Sequence, residues 1–154
     1  MKKKIHIACD HAGFELKTQV VEAIKNQYDI KDYGTMTADS VDYPDYAHLA
    51  CHALNEVYQH ETDPRQLFEF AVLICGSGQG MNITANKYKN LRSALCYNDE
   101  ITKMARSHNN AQVICLGSRF NNLSDSLKMI QIFSDTLFEG GRHQNRVTKI
   151  GPLR

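Results

Sequence analysis

The sequence has no apolar run long enough to cross a membrane and no marked excess of either charge. Its 154 residues include 18 Lys and Arg and 17 Asp and Glu, a formal net charge of +1. That balance gives no reason to expect nucleic acid or an anionic membrane surface as the main partner. The basic run at residues 2–4 could suggest a signal peptide, but the apolar stretch after it breaks at Asp10 and His11. We therefore expect a solvated start that leads into a first strand.

The sequence also lacks the cysteine spacing of a zinc site or a disulfide framework. Its five cysteines are an odd number, and they form no CxxC pair. Four of them lie within or at the ends of apolar, strand-like runs. This pattern predicts buried, reduced thiols in a cytoplasmic protein.

Short apolar runs alternate with amphipathic segments along the whole chain. The predicted strands are 4–9, 29–33, 70–75, 92–97 and 112–117, and the predicted helices are 14–26, 46–58, 81–88, 99–107 and 123–138. A polar break at 60–66 separates the second helix from the third strand, and two glycines at 140–141 precede a basic tail. This alternation predicts one doubly wound α/β domain over residues 1–154, with a five-stranded parallel sheet. Ligands of such sheets bind beyond the carboxyl ends of the strands.

The stretch ICGSGQG at 74–80 is the most informative part of the chain. A thiol at Cys75 would end a strand beside the amides of a helix start, where a thiolate is stabilised. The glycines at 76, 78 and 80 let backbone N–H groups approach an anion closely. The loop lacks the GK[ST] of a P-loop and the early position of a dinucleotide fingerprint. Tight packing would explain the glycines but not Cys75 and Ser77 on either side of Gly76, so we predict a nucleophile or base next to an anion cradle.

Other polar groups at the ends of predicted elements have structural alternatives that the sequence leaves open. Asp10 could cap the first helix or contact a ligand, whereas His11 lies where polar groups face the ligand cleft. His108 could interact with the dipole of the helix that it ends, with an asparagine as the left-handed stop. Arg142 and Arg146 are four residues apart; if Arg142 begins a helix, both suit a phosphate dianion, and otherwise they are a solvated basic surface.

Taken together, these motifs resemble one family over nearly the whole chain. The runs are CDHAGFELK (9–17), DYGT (32–35), DYPDYA (42–47), ICGSGQGMNITANK (74–87), LRSAL (91–95), RSHNNAQVICLGSR (106–119) and EGGRHQNRV (139–147). They are similar to the type B ribose-5-phosphate isomerases, whose family also holds the galactose-6-phosphate isomerase subunits. The resemblance implies a metal-free, cofactor-free aldose–ketose isomerase with a Rossmann-like three-layer fold and a C-terminal helical tail. It also implies a homodimer or homotetramer with each active site between two subunits.

The resemblance further implies a role for each matching residue. Cys75 would move a proton between C1 and C2 of ribose 5-phosphate and ribulose 5-phosphate, a step of the non-oxidative pentose phosphate pathway. Ser77 would assist at the substrate oxygen, and His108 would open the sugar ring. The remaining implied contacts are the loop amides around Gly76, Gly78 and Gly80, the sugar contacts Asp10 and Asn109, the cleft residue Tyr43, and the phosphate contacts His11, Arg119, Arg142 and Arg146.

The chain departs from the family pattern at three places. Asn110 stands where many members have Asp, which weakens a pairing of His108 with an acid. The segment 60–69 is longer than in compact members, and it is expected away from the site. Met81 stands where members without the cysteine have a glutamate base, which favours Cys75 as the base here.

Three other functions remain open from the sequence. The enzyme could act on a hexose 6-phosphate such as allose or galactose 6-phosphate. A non-enzymatic phosphosugar sensor would use the arginines and glycines but would have no use for Cys75 or His108. A thiol redox enzyme would require a resolving cysteine, and Cys96 is the nearest in sequence.

Overall fold

A parallel sheet of five strands forms the middle of the molecule in the computed structural model, which describes residues 1–60 and 65–151. The strands are β1 (Lys4–Cys9), β2 (Asp29–Asp32), β3 (Glu69–Cys75), β4 (Ser93–Leu95) and β5 (Val113–Gly117). Their order is β2-β1-β3-β5-β4, and every neighbouring pair is parallel. The predicted α/β class is therefore confirmed. β4 is shorter than the predicted 92–97 because it is an edge strand that pairs only with β5.

Within the described residues, six helices connect and follow the strands. They are α1 (Phe14–Ile24), α2 (Tyr43–Tyr58), α3 (Gln79–Ala85), α4 (Asp99–Ser107), α5 (Leu123–Asp135) and α6 (Arg142–Ile150). α2 begins at Tyr43 rather than at residue 46, and the residues before 46 carry the signal for this start: Asp42 takes the N-cap position in extended backbone and Pro44 lies in the first turn. α3 lies two to three residues earlier than the predicted 81–88, since Gly78 turns the chain directly into the helix. α1 ends at Ile24 rather than 26, and α5 ends at Asp135 rather than 138.

The helices cover both faces of the sheet and give the molecule three layers. Side chains alternate between the faces along each strand: Ile5 and Ile7 belong to the core under α1, α4 and α5, while Ala8 belongs to the core under α2 and α3. Both cores are almost free of solvent contact. The packed sheet is therefore a rigid base for the loops at the carboxyl and amino ends of its strands.

The carboxyl ends of the three central strands meet at one edge of the sheet, which we call the carboxyl edge. Cys9 pairs with Ile74, and Cys75 pairs with Gly117. The loops that follow β1, β3 and β5 therefore lie side by side. Residues 61–64 of the predicted polar break lie outside the described residues. Among the helices of 1–60 and 65–151, none is both long enough and apolar enough to span a membrane.

Candidate active site

The thiol of Cys75 lies at the end of β3 and is almost completely buried. The backbone N–H of Gly78 donates to its Sγ atom across 3.1 Å. Gly78 has a φ of +77°, and a Cβ at this position would come within 2.5 Å of Cδ1 of Leu95. Only glycine therefore fits the turn that directs this N–H at the sulfur. This N–H donor holds the sulfur in place at the end of β3.

The side chain of Arg119 lies against the same loop. The N–H groups of Ser118 and Arg119 donate to the carbonyls of Cys75 and Gly76 at 2.8 and 3.1 Å. A Cβ at Gly76 would lie 3.2 Å from Cζ of Arg119. The hydroxyl of Ser118 donates to the carbonyl of Ala12 at 2.8 Å. The loops after β1, β3 and β5 are thus joined, with an exposed guanidinium beside the cysteine loop.

Ser77 and Tyr43 complete the surroundings of this loop. Ser77 is exposed, and its Oγ atom accepts from the N–H of Gln79 at 3.3 Å. The ring of Tyr43 is packed on Gly80, where a Cβ would come within 2.4 Å of Cζ. Both side chains lie at the start of α3, next to the thiol.

Asp10 and His11 follow β1 at the carboxyl edge. The N–H of Asp10 donates to the carbonyl of Ile74 at 3.2 Å, and its Oδ1 atom accepts from the N–H of Gly13 at 3.1 Å. Gly13 is the N-cap of α1 and has no side-chain cap hydrogen bond, so Asp10 holds a turn just ahead of the helix and is not its cap. His11 is exposed, and its Nδ1 atom lies 3.2 Å from the N atom of Val41. That contact ties His11 to the loop before α2.

His108 and Asn109 end α4, away from the cysteine. Asn110 has a φ of +48°, which confirms an asparagine as the left-handed stop of this helix. The carbonyl of Asn109 accepts from Nε of Arg92 at 2.9 Å. Arg92 directly precedes β4, so the end of α4 lies where the strands begin, which we call the amino edge of the sheet.

Arg142 begins α6, as the phosphate hypothesis requires. Arg142 and Arg146 are both exposed and lie about one helical turn apart. Between them, His143 is buried and its ring stacks on that of His108, with centroids 4.2 Å apart and planes 7° apart. The two arginines and His108 therefore belong to one surface.

Glu139 joins the two histidines in a cluster whose possible ligand atoms lie within 4.8 Å of one another. A metal ion bound by two imidazoles must lie near the plane of both rings, where their lone pairs point. The planes of His108 and His143 are nearly parallel and stacked, so no point lies in both. This arrangement is a ring stack and does not suit a metal centre.

The site residues form two groups at opposite edges of the sheet. Cys75 is level with Gly117, the last residue of β5, whereas Asn109 lies beside the residues that precede β4 and β5. β5 spans five residues, so the edges are separated by about 13 Å or more. Asp10, His11, Tyr43, Cys75, Ser77 and Arg119 form the first group; His108, Asn109, Arg142 and Arg146 form the second. One chain does not bring the two groups together.

The sequence analysis missed two supporting residues, His143 and Arg106. Arg106 has no exposed surface, and its Nη1 atom donates to Oδ1 of Asn110 at 2.8 Å and to the carbonyl of Ala111 at 2.6 Å. No carboxylate of the described residues pairs with it, and its Nη2 atom has no hydrogen-bond partner there. Burial lowers the pKa of Arg106 to about 10. The helical pattern of α4 alone gives no sign that this charge points inward.

Comparisons with known proteins agree on one family. Residues 5–150 match the sequence model of a family described as Ribose/Galactose Isomerase. Ribose-5-phosphate isomerase B of Escherichia coli is 35% identical over 96% of this chain and 94% of its own length. A crystal structure of ribose-5-phosphate isomerase B from Mycoplasma genitalium with bound ribulose 5-phosphate is 38% identical, with a TM-score of 0.87, and the match covers 97% of this chain and 95% of that one. A ribose 5-phosphate isomerase of this type from Thermotoga maritima is also 38% identical, with a TM-score of 0.88, over 99% and 100% of the two chains.

Proposed function

The chain belongs to the ribose/galactose isomerase family, and we propose that it interconverts D-ribose 5-phosphate and D-ribulose 5-phosphate by a cysteine-based proton transfer. The observation that carries the mechanism is the contact between the Gly78 N–H and Sγ of Cys75. This contact supports a thiolate that can act as a general base at the edge where parallel sheets bind ligands. Burial raises the pKa of Cys9 to about 12 and that of Cys96 to about 11, which keeps both of these thiols protonated at neutral pH.

Proton transfer takes place on the open-chain sugar. The Cys75 thiolate takes the proton from C2, and the electron pair of that C–H bond moves to give an enediolate with its charge on O1. The hydroxyl proton of O2 passes to O1 while the thiol returns the first proton to C1, so that the carbonyl forms at C2 and O1 becomes a hydroxyl. Loop amides and the hydroxyl of Ser77 donate to O1 as its charge develops; one such donor contributes about 2.7–4 kcal/mol to lowering a barrier. General base action contributes roughly 10²–10⁴-fold in rate.

Ring opening precedes this transfer, because ribose 5-phosphate exists mainly as a furanose. His108 takes the proton of the O1 hydroxyl and delivers one to the ring oxygen as the bond between C1 and that oxygen breaks. Asn109 and Asp10 contact the sugar hydroxyls, and Tyr43 borders the cleft. His11, Arg119, Arg142 and Arg146 bind the phosphate, for which forked guanidinium donors are well suited.

The active site is shared between two subunits of a homodimer, which can pair further into a tetramer. Separation of Cys75 from His108 across the sheet supports this arrangement, since one substrate must reach both. An apolar groove of about 460 Å³ beside His108 also supports it. The groove includes Met104 and Ile150, two largely exposed apolar side chains. A second copy that covers them would also have to present its cysteine loop to His108, so that one substrate reaches both groups.

The protein acts in the cytoplasm. All five cysteines are free and buried, which supports a reducing compartment where disulfides do not persist. No group other than the side chains and amides named above is assigned a chemical step, in keeping with the metal-free and cofactor-free chemistry that the sequence resemblance implies.

The decisive experiment measures conversion of ribose 5-phosphate to ribulose 5-phosphate by the purified chain in EDTA, beside Cys75→Ser and Cys96→Ala. We expect activity in the wild type and in Cys96→Ala, and almost none in Cys75→Ser. Wild-type activity that survives in Cys75→Ser would remove the thiol from the mechanism. Oxidant titration of the free thiols tests the redox alternative, because a disulfide formed between Cys75 and Cys96 would favour a dithiol redox function. A wild type that converts only hexose 6-phosphates would change the substrate, and one that binds but converts neither would be a phosphosugar sensor.

A further inference from the structure

The imidazole of His108 lies on a second imidazole that none of the assigned roles uses. The rings of His108 and His143 are stacked, with centroids 4.2 Å apart and planes 7° apart. His143 is only 6% exposed, whereas His108 is half-buried and occupies the C-cap position of α4. The buried ring of His143 thus supports the half-buried ring of His108, which can contact substrate.

A backbone hydrogen bond and a glycine turn hold the two rings in this stack. The N–H of Glu139 donates to the carbonyl of Ser107, the last residue of α4, at 3.0 Å. Gly140 and Gly141 then follow with φ values of +69° and +54° and turn the chain into α6. His143 lies in the first turn of α6 and is thereby brought under His108. Glu139 also approaches it, with 3.4 Å between Oε2 and Nε2 of His143.

We propose that His143 is a positioning residue that holds the imidazole of His108 in the orientation needed for ring opening. This inference rests on the proposed function. A side chain at a helix end has few neighbours, and without a support its χ angles sample several rotamers. A misplacement of about 1 Å in a reacting group can lower the rate about 10²-fold.

The charges around His143 favour its neutral form. Burial lowers the pKa of His143, its neighbours His108, Arg142 and Arg146 lower it further, and Glu139 opposes them. A neutral His143 adds no charge under His108, so the proton that moves during ring opening stays with His108. The support is therefore a flat, uncharged ring rather than a second acid.

The variants His143→Phe and His143→Leu separate a flat ring from mere bulk. Both fill the space, but only phenylalanine can stack on His108.

Two substrates separate ring opening from proton transfer. Ribose 5-phosphate requires ring opening. Its 4-deoxy analogue lacks the hydroxyl that closes the furanose, and its O5 carries the phosphate, so it remains an open-chain aldehyde.

We expect His143→Leu to lower kcat on ribose 5-phosphate by about 10–100-fold with KM changed less than about twofold. The same variant should keep its rate on the 4-deoxy analogue, and His143→Phe should keep most of its rate on both. Equal losses on the two substrates, or an undiminished rate of His143→Leu on ribose 5-phosphate, would overturn the inference. A wild type that converts neither substrate would instead contradict the proposed function.

Proton NMR tests the same contact without turnover. The ring current of His143 should shift the ring protons of His108 upfield in the wild type and in His143→Phe. We expect that shift to disappear in His143→Leu, provided that unfolding curves show the variant to be folded at the temperature of the spectra. The same His108 shifts in the wild type and in His143→Leu would show that no stack exists in solution and would reject the positioning role.

Discussion

The ring of Tyr43 occupies the space that a side chain at residue 80 would fill, because a Cβ on Gly80 would come within 2.4 Å of its Cζ atom. Gly80 lies in the first turn of α3, where alanine would otherwise be the better helix former. Each of the two residues therefore restricts which side chain fits at the other position. The packing of the Tyr43 ring on Gly80 forms one wall of the cleft next to the cysteine loop.

Gly80→Ala should change stability with a sign that depends on Tyr43. In the wild type we expect the free energy of unfolding to fall by about 1–3 kcal/mol, the usual effect of forcing atoms into a packed contact. In a Tyr43→Ala background the same change should raise it by about 0.5–1 kcal/mol, because the helix propensity then acts alone. Denaturant unfolding of the four proteins in this double-mutant cycle measures both values. Equal effects in the two backgrounds would contradict the contact.

The division of the site between two edges predicts complementation of inactive variants. Cys75→Ala and His108→Asn should each be nearly inactive as homodimers. Refolded together in equal amounts, half of the dimers are mixed, and each mixed dimer has one intact site out of two, so about a quarter of wild-type activity should return. Each variant refolded alone is the control. No recovery in a mixture shown to contain mixed dimers would mean that each site lies within one chain.

Asn110→Asp should stabilise the protein, because it gives the buried Arg106 an anionic partner. Nη1 of Arg106 already donates to Oδ1 of residue 110 at 2.8 Å, so the ion pair needs little rearrangement, and Asp tolerates the left-handed backbone at this position. Hydrogen bonds to a charged partner are stronger than neutral ones, and we expect the free energy of unfolding to rise by about 1 kcal/mol.

The matched control for that change is Asn109→Asp. Asn109 is exposed, so the same substitution one residue earlier should change the free energy of unfolding by less than about 0.5 kcal/mol. Denaturant unfolding at pH 7 measures both variants. A loss of stability in Asn110→Asp would mean that the cost of burying the new carboxylate exceeds what the ion pair contributes.

Acid should destabilise the fold partly through His6. This residue is buried, with Nδ1 2.9 Å from the hydroxyl of Tyr33 and Nε2 2.9 Å from Oε2 of Glu69. Burial lowers the pKa of His6 below its ordinary value of 6.5, although Glu69 opposes the shift. The unfolded chain therefore binds the proton more readily. The stability that neutral His6 contributes is complete above pH 6.5 and is lost as pH falls through the lowered pKa of the folded state.

His6→Gln should accordingly show a weaker decline of the free energy of unfolding as pH falls from about 7 to about 5. The decline should not vanish, because the pKa of buried His143 is also lowered and acts with the same sign. Denaturant unfolding of both proteins across this range gives the two slopes. Parallel slopes would exclude His6 as a source of the acid sensitivity.

The strands and the carboxyl-edge residues could be predicted because their signals are local. An apolar run followed by glycine or a polar group marks the end of a buried strand, and parallel strands end together, which grouped Asp10 with Cys75 and Arg119. The length of β4 could not be predicted in this way, because it depends on pairing with β5 alone.

The supporting residues at the other edge could not be predicted, since their environments arise from contacts between distant parts of the chain. His143 stacks on His108 only because Glu139 fastens the segment before α6 to the end of α4. Arg106 reads in sequence as an ordinary charge near a helix end, yet its guanidinium lies over the ring of Phe133 in α5, 5.8 Å from the centroid. Spacing within one helix carries no information about such partners.

The proposed sharing of each active site between two subunits, with Cys75 and His108 at opposite edges of one sheet, also affects how catalytic output would follow gene expression. Pairing is second order in the chain, so below the dissociation constant the number of complete sites grows with the square of the amount synthesised. Under those conditions a cell that halves its synthesis of the chain loses about three quarters of its isomerisation capacity. Within that concentration range, a site shared between subunits would turn a modest change in expression into a larger change in isomerisation capacity.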